Sequence, residues 1–210
     1  MRFRLNYFIV FISVMLILAP NSIAQEIENL LTNPDFEIDT EGWSLGNENF
    51  FGIDEKEECP TQTNVVSAII DNVGANPWEP EIHSPSFALA QGNTYTYSFW
   101  AKTEEGETKS INSSFESNDP VWAGAGGMAI TLTDEWVEYH STSVWNNEFR
   151  GVVVIHIAVN YPPTELNDMW IAHAKVYEGD YVEEEIEGLE PEAVTPVGNL
   201  AIPWGQIKSR

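Results

Sequence analysis

Cysteine is almost missing from this chain. Cys59 is the only one in 210 residues, so no disulfide can form within the molecule. It sits in the loop-like run Glu57-Glu58-Cys59-Pro60, where it is either a bystander thiol or a link to another chain. Basic residues are scarce as well: nine Lys and Arg stand against 33 Asp and Glu, for a net charge of −24. Such a surface repels nucleic-acid phosphate and anionic lipid, which disfavours both as partners. Helical periodicity is absent from the central region. Catalytic signatures are absent too, with no Gly-x-Ser-x-Gly elbow, His-Glu-x-x-His helix or phosphate loop. Gly124-Ala125-Gly126-Gly127 is glycine-rich but flanked by strand-like pattern, and reads as a turn. The four histidines, His83, His140, His156 and His173, lack metal-ligand spacing.

One long apolar run exists, from Tyr7 to Ala19, broken only by Ser13. It is shorter than the roughly 20 residues that cross a bilayer. Arg2 and Arg4 precede it and Ser22-Ile23-Ala24 follows it, the layout of a cleavable secretory signal over residues 1–24. An uncleaved anchor is the alternative. Export is therefore expected, and removal of Arg2 and Arg4 leaves the mature chain more acidic still. From Glu178 to Glu192 there are eight acids and no basic residue, the composition of a self-repelling extended linker over 180–195. The tail at 196–210 turns apolar and then basic. It reads as a docking peptide or sorting signal, or else as a strand that folds back or a frayed end.

What remains, residues 25–179, suffices for one domain with a full core. Its pattern has period two. Tyr95, Tyr97 and Phe99 alternate with Thr94, Thr96, Ser98 and Trp100; Val153, Ile155, Ile157 and Val159 alternate with Val152, Val154, His156, Ala158 and Asn160. With Gly, Pro, Asn and Asp between runs, this predicts half-buried antiparallel strands near 29–36, 49–53, 64–71, 81–89, 94–103, 109–116, 121–131, 135–144, 151–160 and 168–177. The expected fold class is all-β, an antiparallel two-sheet β-sandwich of jelly-roll type. Trp43, Trp136 and Trp170 occupy positions suited to filling the gap between sheets.

Five segments recur in a telling order: Asn29-Leu30-Leu31-Thr32-Asn33-Pro34-Asp35-Phe36-Glu37, Gly42-Trp43-Ser44, Gly92-Asn93-Thr94-Tyr95-Thr96-Tyr97-Ser98-Phe99-Trp100-Ala101-Lys102, Glu135-Trp136, and Asp168 to Tyr177. Together they resemble carbohydrate-binding modules of families 4 and 9, the CenC type, over residues 29–179. The resemblance implies a galactose-binding-like jelly roll that holds a polysaccharide in an aromatic-lined cleft. Modules of this kind normally accompany glycoside hydrolases without catalysing anything themselves, so a non-catalytic secreted binding module is expected here.

A pyranose ring offers an apolar face of C–H groups and a rim of hydroxyls. Binding one calls for flat aromatic surface and for carboxylate, amide or imidazole partners. Trp78, Trp100, Trp122 and Trp145 lie outside the apolar alternation and are the indoles free for such work. Trp78 falls in the turn-rich stretch Gly74 to Glu81, and Trp122 in Asp119-Pro120-Val121-Trp122-Ala123-Gly124. Trp100 and Trp145 have the alternative role of covering a sheet edge. By the resemblance, Trp78 and Trp122 line the cleft from two sides, Glu81 is the acidic companion three positions after Trp78, and His156 with Asn160 supplies hydrogen bonds from the sheet floor. Arg150, just ahead of that strand, is a further group able to fork onto hydroxyls. No cofactor is required. The resemblance also allows a structural calcium with Glu37 as one ligand, although Ala172-His173 stands where an Ile-Asp pair is implied, and calcium wants six to eight hard oxygen ligands. Two other functional classes stay open. One is a structural or adhesive jelly roll that docks a protein partner through its acidic surface and tail. The other is a small sandwich glycoside hydrolase using a pair of carboxylates.

Overall fold

The computed structural model describes residues 27–76, 78–117, 123–147, 153–159, 166–184 and 186. Ten strands succeed one another: β1 (Ser44–Leu45), β2 (Phe50–Ile53), β3 (Val65–Ile69), β4 (Glu81–His83), β5 (Thr94–Thr103), β6 (Lys109–Ser117), β7 (Gly124–Leu132), β8 (Val137–Val144), β9 (Val153–Ala158) and β10 (Met169–Glu178). They form two five-stranded antiparallel sheets. Sheet A has the order β1-β4-β9-β6-β7 and sheet B the order β2-β3-β10-β5-β8. The all-β two-sheet sandwich is what the alternation requires, because each sheet has one apolar face to bury. Among the described residues there is no helix, and so none long and apolar enough to cross a membrane.

The core lies between the sheets. Sheet B contributes Tyr95, Tyr97, Phe99 and Ala101 from one face of β5, and sheet A contributes Ile111 and Phe115 from β6 with Ile155 and Ile157 from β9. Phe115 meets Tyr97 edge-on, with ring centroids 4.8 Å apart. Each such side chain, fully buried, gains on the order of 1.5–3 kcal/mol over an exposed one. The Tyr97 hydroxyl is not stranded in this core: it lies 2.8 Å from Ser113 Oγ and donates to the Gly126 carbonyl at 2.9 Å. Burial pushes its pKa up to about 12. At Gly126 the sheet edges close on each other. Its φ is +67°, and a Cβ there would stand 2.9 Å from Ser143 Oγ on β8, so glycine is the residue that fits.

Several sequence expectations need correcting. Residues 29–36 are not a strand. Asn33 and Phe36 both take positive φ, and the segment is pinned to β10 by the Asn29 side chain, which donates to the Ala174 carbonyl and accepts from Val176 N. Residues 81–89 shorten to the three-residue β4, because Pro85 has no N–H to give a sheet ladder. Trp43 does fill the inter-sheet core, donating Nε1 to the Asn33 carbonyl at 3.1 Å. Trp136 and Trp170 do not. They pack with Trp100, Cys59, Val65 and Ala172 in a second cluster outside the inter-sheet core. Parity explains the placement of Trp170: it lies between core-facing Met169 and Ile171 and pairs with Lys102, which lies between core-facing Ala101 and buried Thr103.

A β-bulge interrupts β10 between Ala172 and Lys175. Met169 and Ile171 face the core before it, Ala174 and Val176 after it. The extra residue reverses the alternation and leaves His173, at φ +45°, turned away from the core.

Candidate functional site

The outer face of sheet A carries the polar side chains that a hydroxyl-rich ligand needs. On β6 the burial alternates strictly, so Ser110, Asn112, Ser114 and Glu116 face outward while Ile111, Ser113 and Phe115 face the core. On β4, Ile82 is core and Glu81 and His83 flank it on the outer side. Cross-strand register aligns these residues in rows. Glu81 pairs with Ala158, and Ala158 with Asn112; His83 pairs with His156, and His156 with Ser114. Glu81 and His156 are therefore diagonal neighbours on adjacent strands. The His156 backbone occupies a position between core-facing Ile155 and Ile157. Glu81 Oε1 lies 3.4 Å from His83 Nε2, a pairing that holds both groups in place on the face.

The loop leading into β4 presents Trp78, which is 51% exposed. Its scaffold is hydrogen-bonded from both sides. Asn49 Oδ1 accepts from the backbone N–H groups of Asp71 and Asn72, and Asn72 Oδ1 accepts from Gly74 N. Glu79 Oε2 accepts from Ala75 N at 2.8 Å and Asn76 N at 3.1 Å, while Oε1 accepts from Asn76 Nδ2 at 3.0 Å. These donors, the Ala75 N–H foremost, hold the Glu79 carboxyl below the usual carboxylate range. Gly74, at φ +73°, lets the loop close, since a Cβ would stand 2.4 Å from Glu79 Cβ. An apolar side chain exposed on a hydrogen-bonded loop is unlike a core residue.

The structure brings Glu81, and His156 by its backbone register, onto one face, and Trp78 lies in the loop that leads into β4, three residues before Glu81. Trp122 and Asn160 lie outside the described residues, as does Arg150. The residues flanking 118–122 are described. Ser117 and Ala123 bond to each other by Ser117 N to Ala123 O and Ala123 N to Ser117 Oγ. They lie at the end of sheet A where Ser117 pairs with Val153, opposite the end where Val159 N donates to the Pro80 carbonyl. Trp145 is 1% exposed in the inter-sheet core and Trp100 is 9% exposed in the cluster on sheet B, so neither offers a platform. His83, Asn112, Ser114 and Glu116 are outer-face groups that the sequence reading passed over. The signal was there in the Lys109–Ser117 alternation, since polar residues alternate with Ile111 and Phe115.

Charge sorts the two outer faces. Among the described residues the lysines are Lys56, Lys102, Lys109 and Lys175; Lys109 is fully buried, and Lys102 and Lys175 belong to sheet B. None faces outward from sheet A. A cavity of about 440 Å³ does exist on the other side, lined by Glu57, Lys102, Glu104, Glu105, Asp134 and Trp170. It is a poor sugar platform, because its indole is already covered: the Lys102 ammonium stands 5.2 Å from the Trp170 ring and 5.8 Å from Trp136, and pairs with Glu57 at 2.7 Å. Glu37 is exposed. Among the described residues no three His, Cys, Asp or Glu side chains gather as a cation would need. Where the resemblance implies an aspartate, His173 is bonded to Asp35 and Glu184, with Lys175 beside it. That set does not suit a hard divalent cation.

Residues 28–163 match the family described as a carbohydrate binding domain, of the 4/9 type. Solved structures with a similar fold include a CBM4 module, 19% identical with a TM-score of 0.52 over 71% of this chain and 84% of that one. A family 16 carbohydrate-binding module is 13% identical, with a TM-score of 0.51 over 71% of this chain and 100% of its own. The N-terminal tandem CBM22-1–CBM22-2 of Paenibacillus barcinonensis Xyn10C is 13% identical, with a TM-score of 0.53 over 80% of this chain and 49% of that one. At these identities the structural likeness speaks for the fold alone. No curated protein matches the sequence.

Proposed function

This chain belongs to the carbohydrate binding domain family of the 4/9 type, and we propose that it is an exported, non-catalytic module that holds a neutral polysaccharide across the outer face of sheet A. Trp78 is the stacking platform. Glu81, His83, Asn112, Ser114, Glu116 and His156 are the hydrogen-bonding groups, and Trp122 and Asn160 extend the set. The observation that carries the reading is a half-exposed indole on the hydrogen-bonded loop that leads into a sheet face with carboxylate, imidazole, amide and hydroxyl groups. Neutrality follows from charge. The described face offers acids and no lysine, on a chain of net charge −24, so a uronate polymer would be repelled. Length follows from the strands: from the row of Glu81 and Asn112 to Ser117 is five residues, about 17 Å at strand rise. That is the reach of an oligosaccharide rather than of one ring. Export rests on the signal pattern of residues 1–24.

Affinity electrophoresis through gels containing β-glucan, xylan, mannan or polygalacturonate tests the proposal. Retardation by one of the neutral polymers and free passage through polygalacturonate are expected. Free passage through every neutral gel by a folded protein would favour the structural or adhesive reading, in which a protein partner is the ligand.

A further inference from the structure

The chain does not leave the sandwich when β10 ends. Tyr181 stacks on His140 of β8 with ring centroids 3.5 Å apart and planes 6° from parallel, and its hydroxyl donates to Glu138 Oε2 at 2.6 Å. Val182 N donates to the Tyr177 hydroxyl at 3.0 Å. Glu184 takes both the His173 Nε2 at 2.8 Å and the Lys175 ammonium. Ile186 packs against the cluster of Cys59, Val65, Trp100 and Ala172. Residues 181–184 and 186 thus form a strap over sheet B, although their composition reads as a self-repelling linker.

The fastening is chemically specific. His173 Nδ1 lies 2.5 Å from Asp35 Oδ1, in the segment before β1, and its Nε2 lies 2.8 Å from Glu184 Oε2 in the strap. Ionised carboxylate oxygens only accept, and an imidazole donates from both nitrogens only when doubly protonated. The geometry is that of an imidazolium between two carboxylates. The groups facing it are Asp35 from the opening segment, Lys175 from β10 and Glu184 from the strap. With the ring charged, the four charges balance. With the ring neutral, one of its nitrogens turns a lone pair toward a carboxylate, and of the ties on Glu184 only the Lys175 pair remains, while Tyr181 and Val182 keep their own contacts with His140, Glu138 and Tyr177.

We propose that His173 is a proton-operated clasp: charged, it binds Glu184 of the strap to Asp35 of the opening segment, and on losing its proton it loosens the end of the strap at Glu184 and Ile186, beyond the fixed points at Tyr181 and Val182. Burial, the largest influence on this ring, opposes the charge, but the bonds to Asp35 and Glu184 outweigh it, and the pKa is raised. The clasp is therefore complete below the ordinary histidine value of roughly 6.5 and is lost as pH rises through the higher folded value.

Methyl-labelled full-length protein, observed by NMR between about pH 5 and about pH 9, spans that titration. The Ile186 methyl signals should shift from docked to random-coil positions with the midpoint of the His173 ring titration, while Ile155 and Ile157 in the core stay still. His173→Gln, which carries no charge and has a single donor nitrogen where the imidazolium has two, should show the released position throughout. Glu184→Gln, which leaves the core untouched, should remove the pH dependence and serves if His173→Gln fails to fold. The proposal is overturned if Ile186 stays docked while His173 titrates, or if a folded Glu184→Gln variant keeps the wild-type pH dependence.

Discussion

Replacing Trp78 by alanine isolates the platform from the fold. Trp78 is 51% exposed, and an indole carries about 150–250 Å² of surface, so roughly 100 Å² stands open to a ligand. A stacked pyranose covers most of one face, on the order of 70 Å², and at about 25 cal/mol per Å² the contact is worth ~2 kcal/mol. That is about thirtyfold in Kd. The loop is already ordered by Asn49, Asn72 and Glu79, so little ordering entropy is spent on binding and most of the contact should appear as affinity. Stability should fall by no more than about 1 kcal/mol, because half the side chain is in water before the change. Isothermal titration with an oligosaccharide of the retarding polymer measures the first quantity, and urea unfolding the second. A Trp78→Ala protein with wild-type unfolding that binds within about twofold of wild type would refute the reasoning, since the energy difference would then be below ~0.5 kcal/mol.

Tyr97→Phe keeps the ring but leaves Ser113 and the Gly126 carbonyl without their shared partner in the core; a loss of about 1–3 kcal/mol in urea unfolding is expected. Glu79 ties the Trp78 loop through a carboxyl whose pKa is lowered. Loop order is complete above the ordinary carboxylate value of about 4.3 and is lost as pH falls through the lower folded one. Glycan affinity should therefore hold from neutral pH to about pH 5 and weaken only in stronger acid. Glu79→Gln should abolish that acid loss at the cost of weaker binding throughout, as read by the same titrations.

The period-two pattern was sufficient for β5, β3 and β2, where every second residue is apolar and nothing interrupts the ladder. It misled at residues 29–36, where an apolar run is tied to β10 by the Asn29 side chain and by isolated main-chain bonds from Leu30 N and to the Pro34 carbonyl, with positive-φ turns that prevent a continuous ladder. Tryptophan placement depended on parity as well as on residue type. Trp136 and Trp170 resemble core residues in composition, yet they pack in the cluster outside the inter-sheet core. Trp145 stands outside the alternation, yet it is buried between the sheets. The His173 bulge leaves no trace in composition, because only the partner register reveals an extra residue. Of the candidate residues, the exposure of Trp78 was legible from its turn-rich surroundings, and Glu81 and His156 share a face by register. The remaining outer-face groups, His83, Asn112, Ser114 and Glu116, became visible once neighbouring strands were assigned, because a face is a property of paired strands and no single strand carries it.

Backbone amide mapping with a neutral oligosaccharide tests the central claim most directly. Chemical-shift changes should concentrate in the Trp78 loop, β4, β6 and β9, with β5 and β10 silent. Changes gathered instead around Lys102 and Trp170 on sheet B would contradict it.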